Sequence, residues 1–557
     1  MIQVPPYFKC GVQPAQLWHQ LQCRHAELFL SLLTTRRETG GFFGVLPGRS
    51  CCLGREVVYS VMGCSIRKNA RAGFTRLRRV LFFIMLPAFA GCSSTGQRGS
   101  GMLPLSGNPP KYIFFFIGDG MGPAQVELAG VMREEGCFSV MKSLPVSGTV
   151  STTASDRYIT DSGAAGTALA TGSKTSVGTI AMSADHRDTL RTVAEMAKAK
   201  GMKVGIVSSV GIDNATPACF YAHQTGRESY YAIALQMASS GFDYFGGGYA
   251  EGNFPENRKK AEKDRGDILD LMQQAGYTVT TDRMALASVL PGTKSWALTV
   301  YDGKAAMSFA IDRQPHELSL AEVTRQGIRL LDNPQGFFMM VEGGRIDWAC
   351  HANDAASAGR DVEAFEDAIS EALAFYRRHC GETLIVVTAD HECGGLSLGN
   401  GAGGYGSRFR LLGRQKISLK RFADKVASWR ETREVTFPMA LDSVRAYYGL
   451  GDTSSGPALA MSSGDRQVLR DAFRVSMKRV QDGAGPGDAD LFSRTVTRLL
   501  NTRAGIGWTS NSHTGAAVQV FAVGRGAAEF SGFQDNTDIA KKIMRIAGLR
   551  ERRPRRR

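Results

Sequence analysis

Apolar runs of strand length recur along the chain, and segments with a helical spacing of apolar residues lie between them. The runs predict buried strands at residues 112–117, 203–207, 337–341, 384–388 and 518–523. Residues 189–200 and 361–378 have the spacing of amphipathic helices. Strands that alternate with helices predict an α/β fold, a three-layer sandwich whose largely parallel central sheet is flanked by helices.

Two stretches, at about residues 245–290 and 401–507, are polar and rich in helical patterns. We predict that both are helical insertions in one domain that spans residues 111–549. The length of 557 residues allows either one large α/β domain with insertions or two to three ordinary domains. A hydrophobic content of 43% and a charged content of 21% are typical of a folded globular chain.

The net charge of +15 is concentrated at the two ends of the chain. Residues 1–91 carry 12 Lys/Arg against 3 Asp/Glu, a net +9, and residues 550–557 carry six Arg against one Glu, a net +5. The body, residues 92–549, is therefore close to neutral, at +1. This balance gives no reason to expect nucleic acid as a specific partner, and the Arg-rich tail is expected to be solvated.

Residues 62–91 have the order of a bacterial lipoprotein signal peptide. Basic residues at 67–79 precede an apolar stretch at 80–90 that is too short to span a bilayer. Ala90 and Gly91 then precede Cys92, as in a lipobox, and predict that Cys92 becomes a lipidated N-terminus. An ordinary signal peptide is the alternative. The expected location is extracytoplasmic, in the periplasm or at the cell surface, with a lipid anchor in a bacterial membrane.

This placement leaves residues 1–61 ahead of a signal peptide that Met62 would open. We therefore expect residues 1–61 to be an over-extended start that is not part of the mature protein. Residues 92–110, rich in Gly, Ser and Pro, are predicted to be a flexible tether. If Cys92 is lipidated, an odd number of cysteines remains in the mature chain, so no simple disulfide framework is expected.

Three carboxylates follow predicted strands directly: Asp119, Glu342 and Asp390. In open α/β sheets the ligand site lies beyond the carboxyl ends of the strands. Glycines flank Asp119 in the motif IGDGMG and allow a sharp turn close to a bound ion. Triplets of this kind also occur in ordinary turns. The three carboxylates are therefore the first candidates for a functional site.

The segment VEGGRIDWACH, residues 341–351, brings three metal-competent side chains together. Asp347 and His351 are four residues apart, so on a helix they share one face and can bind one cation. Glu342 lies at the strand end, where it can serve a neighbouring ion. A mixed carboxylate and imidazole set suits zinc, whereas a lone carboxylate suits magnesium. The alternative is a solvated helix start, where acidic residues are common.

Two further motifs offer groups for an anion and a hard cation. Ser162, in TDSGAAGTALATG, lies at the start of a small-residue helix, where the helix dipole favours anions. A simple helix cap is the alternative for Ser162. In NATPACFYAHQTGR, Thr216 offers a hydroxyl to a hard cation and Arg227 offers a two-pronged contact to phosphate oxygens. We expect His223, in the same motif, to be structural.

Two histidines complete the candidate ligands. His391 follows Asp390 at the end of an apolar strand and forms a compact pair with it. His513 lies in SHTG, ahead of another strand, where a surface histidine is the alternative. The residues then form two sets of three ligands with open positions for substrate: Asp347, His351 and His513, and Asp119, Asp390 and His391. Two metals about 4 Å apart can clamp the attacking and leaving oxygens of a phosphoryl transfer.

The motifs IGDGMG, TDSGAAGTALATG, NATPAxxxAHxxxR, VEGGRIDWACH, TADHE and SHTG, in this order, resemble those of the alkaline phosphatases. The resemblance runs from about residue 111 to 538, apart from the two inserted regions. It implies an alkaline-phosphatase-like fold, hydrolysis of small-molecule phosphate monoesters, and two zinc ions and one magnesium ion as cofactors. It also implies that Ser162 becomes phosphoserine and that Arg227 binds the phosphate.

The resemblance further assigns the metal ligands. It implies that one zinc ion is bound by Asp347, His351 and His513 and the other by Asp119, Asp390 and His391. It implies that the magnesium ion is bound by Asp119, Thr216 and Glu342. Two alternatives stay open: a phosphodiesterase or sulfatase of the same superfamily, and a catalytically inert surface lipoprotein. A homodimer is a possible assembly.

Two positions depart from familiar members of that family. Asn214 stands where Asp or His is usual near the magnesium site, and an uncharged amide predicts weaker binding of the third metal. Trp348 stands where some members have Lys or His. Its lack of charge predicts faster release of phosphate.

Overall fold

The computed structural model describes residues 108–133, 139–299, 305–452, 454, 456–478 and 489–549. The expected over-extended start, the signal peptide, Cys92, most of the tether and the Arg-rich tail lie outside the described residues. Within the described part of the chain, no helix is both long enough and apolar enough to cross a membrane.

A ten-stranded sheet forms the centre of the described fold, and five of its strands are those that the apolar runs predicted. The strands of the whole structure are β1 (Tyr112–Gly118), β2 (Val146–Ser151), β3 (Lys203–Ser208), β4 (Tyr244–Gly247), β5 (Thr278–Thr280), β6 (Ser295–Leu298), β7 (Phe337–Glu342), β8 (Thr383–Ala389), β9 (Glu392–Cys393), β10 (Leu396–Leu398), β11 (Ile506–Trp508), β12 (His513–Thr514), β13 (Val518–Gly524) and β14 (Gly532–Asp535). The sheet order is β14-β2-β13-β8-β1-β7-β3-β4-β6-β5. Only β13 runs antiparallel to its neighbours in this sheet, so the prediction of a largely parallel sheet is confirmed.

Helices connect the strands and cover the sheet. The α-helices are α1 (Pro123–Met132), α2 (Ser162–Thr171), α3 (Val193–Ala199), α4 (Ala215–Ala218), α5 (Tyr230–Ser239), α6 (Pro255–Lys260), α7 (Ile268–Gln274), α8 (Arg283–Ser288), α9 (Leu320–Leu331), α10 (Arg345–His351), α11 (Ala355–Arg378), α12 (Leu419–Thr432), α13 (Phe437–Tyr448), α14 (Ser463–Ser476), α15 (Leu491–Ala504) and α16 (Asn536–Ile546). The predicted helices at 189–200 and 361–378 correspond to α3 and α11.

The central strands are apolar on both faces because helices cover both faces of a parallel sheet. All seven residues of β1 and all six of β7 are buried. In β1, Phe114, Phe115 and Phe116 have no exposed surface. Burial of a side chain of this size stabilises the fold by about 1.5–3 kcal/mol. This packing fixes where the strands end, and the chemistry begins at those ends.

The strand register brings the three strand-end carboxylates to one edge of the sheet. Ile117 pairs with Glu342 across β1 and β7, and Gly118 pairs with Ala389 across β1 and β8. The next residues along β1 and β8 are Asp119 and Asp390. A site for cations at this edge is therefore a direct consequence of parallel pairing among three central strands.

The two polar stretches differ in how they join the fold. The stretch at about 245–290 carries α6, α7 and α8, and it also includes most of β4 and all of β5, so the central sheet itself runs through it. The stretch at about 401–507 carries α12 to α15. Its apolar faces form a second cluster of buried side chains, centred on Phe422, Tyr448, Leu469 and Phe492.

Candidate metal centre

The first cluster of ligands joins the ends of β1 and β8. Nε2 of His391 lies 3.5 Å from Oδ1 of Asp119 and 3.2 Å from Oδ2 of Asp390. The other oxygen of Asp390 accepts hydrogen bonds from the backbone N–H groups of Gly120, at 3.1 Å, and His391, at 2.8 Å. These bonds hold one carboxylate oxygen in place, and the second oxygen faces the imidazole.

The second cluster joins α10 to β12. Nε2 of His351 lies 3.2 Å from Oδ2 of Asp347, as the four-residue spacing on a helix predicted. Nε2 of His513 lies 3.6 Å from Oδ1 of the same carboxylate and 3.2 Å from Nε2 of His351. Three ligand atoms from two distant parts of the chain therefore meet around one point. His513 is not an isolated surface histidine.

Backbone carbonyls orient both imidazoles of this second cluster. Nδ1–H of His351 donates to the carbonyl of Asn511 at 2.6 Å, and Nδ1–H of His513 donates to the carbonyl of Thr160 at 3.0 Å. A carbonyl only accepts, so Nδ1 carries a proton in each ring and Nε2 faces the cluster. Metal-binding histidines in proteins are held in this way.

Ser162 lies beside the first cluster, at the N-terminus of α2. Its Oγ is 3.2 Å from Nε2 of His391, and the residue is only 2% exposed. Asp161 is the N-cap of this helix, and its side chain accepts the backbone N–H of Ala164. All ten residues of α2 are buried, and a Cβ at Gly166 would come 3.0 Å from the Cys219 sulfur. Small residues thus let this helix pack closely against α4, which carries Thr216.

Arg227 is positioned by an ion pair with Asp161. Its Nη1 donates to Oδ2 of Asp161 at 2.9 Å, while Oδ1 accepts the backbone N–H of Gly178 at 3.1 Å. Burial acts to raise the pKa of Asp161, but Arg227 and the backbone donors hold it below its ordinary value. Asp161 therefore stays ionised and holds the cationic guanidinium of Arg227. The next residue after Asp161 is Ser162, the candidate nucleophile.

The third candidate set joins the end of β7 to α4. Glu342 at the end of β7 is fully buried, and one of its oxygens accepts a hydrogen bond from the hydroxyl of Ser208 on the adjacent β3. Thr216 is buried in α4, which packs against β3 and β7. Asn214 is the N-cap of α4, and its amide oxygen accepts the N–H of Ala215 at 2.8 Å.

Metal ions fit this region because its buried polar atoms are not satisfied by the protein. Among the described residues, the buried atoms here without a hydrogen-bond partner are Asp119 Oδ1, Thr216 Oγ1, Glu342 Oε1, Asp347 Oδ1, Asp390 Oδ2 and His391 Nδ1. Buried polar groups are nearly always hydrogen-bonded in native proteins. Five of these atoms are oxygens, and oxygen is a ligand type that divalent cations require.

The pKa shifts of the buried carboxyl groups also indicate a cation site. Burial, together with repulsion from Asp390, raises the pKa of Glu342 to about 8, although its bond from Ser208 acts against the rise. Burial and the charge of Asp347 raise the pKa of Asp390 to about 7. Burial, and then repulsion from the other three carboxylates, raises the pKa of Asp119 well above its ordinary value. The carboxylates need a cation to be ionised together.

The pKa shifts that burial and repulsion produce predict how the stability of the metal-free protein depends on pH. The unfolded chain loses the Glu342 proton near pH 4.5 and the folded chain near pH 8, so the free energy of unfolding should fall as the pH rises through this window. The lowered pKa of His391 acts oppositely below about pH 6.5, so the decline should be steepest above that value. Thermal unfolding of the chelated protein, followed from acid to alkaline pH, measures this change in stability. A decline of the same size in metal-loaded protein would contradict the explanation.

Some supporting residues carried no recognisable signal in the sequence. The carboxylate of Glu392 accepts hydrogen bonds from Nε2 of Gln125 at 2.8 Å and from the N–H groups of Gly395 and Leu396 at 3.1 and 3.2 Å. It also accepts the hydroxyl of Thr514. These contacts tie β9 and the turn that follows it to α1 and β12, and no spacing along the chain predicts them.

Cys393 is the second residue that sequence reasoning missed. Its sulfur belongs to the cluster of ligand atoms formed by Asp347, His351 and His513. His223, by contrast, is structural as expected. Its ring nitrogens lie 2.9 Å from the carbonyl of Ala181 and 3.0 Å from Glu195, away from the ligand clusters.

Comparison with known proteins gives consistent matches. The family model described as alkaline phosphatase matches residues 110–549. Over 452 residues the chain is 30% identical to alkaline phosphatase 4 of Bacillus subtilis, covering 78% of this chain and 88% of that protein. A cold-active alkaline phosphatase from a psychrophilic Shewanella has 31% identity and a TM-score of 0.65, with 78% of this chain and 99% of that chain covered. The Thermus thermophilus alkaline phosphatase shares the fold, with 24% identity, a TM-score of 0.67 and coverage of 84% and 97%.

Proposed function

We propose that this chain, which belongs to the alkaline phosphatase family and is a phosphoric monoester hydrolase, acts through a phosphoserine at Ser162 with two zinc ions and one magnesium ion. The observation that carries the proposal is the position of the Ser162 hydroxyl. It lies 3.2 Å from Nε2 of His391, at a helix N-terminus and beside buried carboxylates that lack partners. A hydroxyl in that position can attack phosphorus.

The residues divide into three metal sites in this proposal. Two zinc ions and one magnesium ion would be held by Asp347, His351 and His513, by Asp119, Asp390 and His391, and by Asp119, Thr216 and Glu342. When bound, such ions supply Lewis acidity, which favours ionised hydroxyl groups and offsets charge on the attacking and leaving oxygens. The buried, unpartnered oxygens support the assignment.

The chain's own residues then perform two displacements. Ser162 Oγ, having given its proton to solvent, bonds to phosphorus as the bond from phosphorus to the ester oxygen breaks. The ester oxygen takes a proton from solvent and leaves as the alcohol. Water next attacks the phosphoserine, which frees Ser162 and releases inorganic phosphate. Asp161 holds Arg227 so that its planar guanidinium meets the non-bridging oxygens in both steps.

Trp348 and Asn214 modify this scheme. The Trp348 ring is half-buried, and the guanidinium of Arg345 stacks over it at 4.7 Å from the ring centroid. An indole in this position adds no cation for phosphate, in keeping with the expected faster product release. The amide oxygen of Asn214 is already engaged by its own helix, in keeping with weaker binding of the third metal.

The direct test of the function is turnover of an aryl phosphate monoester with metal analysis before and after chelation. Acid-quenched protein should carry phosphate on the peptide that contains Ser162. Parallel rates on a phosphodiester and an aryl sulfate distinguish the alternatives of the same superfamily. Metal-replete protein that is inactive on all three esters would establish the inert surface protein instead.

Substitution of Arg227 with Ala should weaken the binding of substrate and inorganic phosphate. Charge-assisted hydrogen bonds contribute about 1.5–3 kcal/mol, so the KM and the inhibition constant of phosphate should rise about 10- to 100-fold. Arg227→Lys should recover only part, since the ammonium lacks the planar two-pronged geometry. Arg258→Ala is the matched control, because that arginine pairs with Asp264 instead. Unchanged phosphate inhibition in Arg227→Ala would remove this residue from the site.

An extracytoplasmic, lipid-anchored location is part of the proposal. Cys380 is disulfide-bonded, and structural disulfides persist in oxidising compartments. We expect globomycin-sensitive processing and a lipid on the peptide that begins at Cys92. Mature protein that starts at another residue, without a lipid, would leave the ordinary signal peptide as the explanation.

A further inference from the structure

Cys393 stands among metal ligands although the motifs assign it no role. One ligand atom from each of Asp347, His351, Cys393 and His513 lies within 4.8 Å of all the others. The cysteine is fully buried and forms no disulfide. Its Sγ approaches the backbone carbonyl of Asp347 at 3.8 Å. A sulfur atom therefore shares the space that the carboxylate and the two imidazoles face.

The strand register explains how the sulfur reaches this position. β9 pairs antiparallel with β12, and Cys393 is directly opposite His513. Residues opposite each other on antiparallel strands place their side chains on the same face. The adjacent pair, Glu392 and Thr514, is joined by a side-chain hydrogen bond. The pairing therefore sends the Cys393 thiol and the His513 imidazole to one face, into the cluster.

A second observation marks this space as a ligand site. Oδ1 of Asp347 is buried without a hydrogen-bond partner, and the residue is only 5% exposed. Nε2 of His351 lies 3.2 Å from Oδ2 of Asp347 and Nε2 of His513 lies 3.6 Å from Oδ1, so both nitrogens face the same carboxylate. Oδ1 of Asp347 has no hydrogen-bond donor although four potential ligand atoms converge around it, so a cation is the group that satisfies it.

We propose that Cys393 supplies a thiolate ligand to the metal ion held by Asp347, His351 and His513. The inference rests on the proposed function, since that ion is part of it. As the sulfur–metal bond forms, the thiol proton is released to solvent. Thiolate is a soft ligand that favours zinc and disfavours magnesium or manganese. Zinc in catalytic sites can take a fifth ligand, so this set would leave room for a substrate oxygen.

The test uses cobalt, whose thiolate complexes absorb through charge transfer from sulfur to metal. Full-length protein is stripped with a chelator, loaded with Co²⁺, and its near-ultraviolet and visible spectra, bound cobalt and aryl phosphatase activity are measured. Wild type should show the sulfur-to-cobalt band, and Cys393→Ser should lose it. Zinc affinity of Cys393→Ser should fall at least about 10- to 100-fold, the loss typical even of residues that only support a ligand.

Cys219→Ser is the matched control, since Cys219 is another buried free thiol that belongs to neither ligand cluster. It should keep the band. Cobalt-loaded, active wild type without the band would overturn the role of Cys393 and leave the phosphatase mechanism intact. A sulfur-to-cobalt band that persists in Cys393→Ser would also overturn the role of Cys393. A band in wild type that is metal-replete but inactive would support the ligand while overturning the proposed function.

Discussion

Ser162→Ala should lower the turnover of aryl phosphates by about 10³-fold or more while leaving the bound metal unchanged. The hydroxyl of Ser162 points to Nε2 of His391 from a helix whose ten residues are all buried. Alanine fits the same space, so neither α2 nor its cap at Asp161 is expected to move. The loss is therefore chemical, because no other atom replaces the missing nucleophile.

Three measurements on the same preparation separate this result from misfolding. Metal content should match that of wild type, thermal unfolding should be unchanged, and acid-quenched protein should carry no phosphate on the peptide around position 162. Ser173→Ala, just beyond the far end of α2, is the control and should keep full turnover. Retained activity in Ser162→Ala would refute the phosphoserine mechanism.

The parts of the fold that the sequence predicted are those encoded by local patterns. The apolar runs of β1, β3, β7 and β8 are buried on both faces, so each is visible as a continuous run, and the run of β13 is interrupted only by the half-buried Gln519. Position after a strand was enough to find Asp119, Glu342 and Asp390. The four-residue spacing on α10 was enough to pair Asp347 with His351, because helix geometry alone decides that contact.

The parts that escaped prediction depend on contacts between distant residues. The strands β4 and β5 are short, four and three residues long, and lie within a polar, helix-rich stretch. Cys393 enters the ligand cluster only because the two-residue strands β9 and β12 pair, 120 positions apart along the chain. Neither strand is long enough to show periodicity. Their register, and with it the sulfur ligand, becomes visible only once the sheet has been assembled.

Asp119→Asn should change the protein in opposite directions with and without metal. Asp119 is 3% exposed, and burial, followed by repulsion from three neighbouring carboxylates, raises its pKa. In the metal-free protein, an amide removes that repulsion and should raise the midpoint of thermal unfolding at alkaline pH. In the metal-loaded protein, it removes a charged ligand proposed to serve two ions. The variant should then bind less metal and lose at least about 10²-fold in turnover.

A substitution that stabilises the metal-free protein but weakens metal binding distinguishes a metal ligand from a carboxylate that only packs in the core. Asp361→Asn is the control, because that buried carboxyl has a pKa raised to about 8 by burial and belongs to neither ligand cluster. At neutral pH it is already largely protonated in the folded chain, so the amide should alter neither metal content nor turnover. The unfolding midpoints of Asp119→Asn and wild type, chelated and metal-loaded, are compared at one alkaline pH, and the metal content and turnover of both variants are compared at neutral pH. If Asp119→Asn destabilised the chelated protein as much as the metal-loaded one, the carboxylates of the cluster would serve to stabilise the fold and not to bind metal. The cation sites would then have to lie elsewhere.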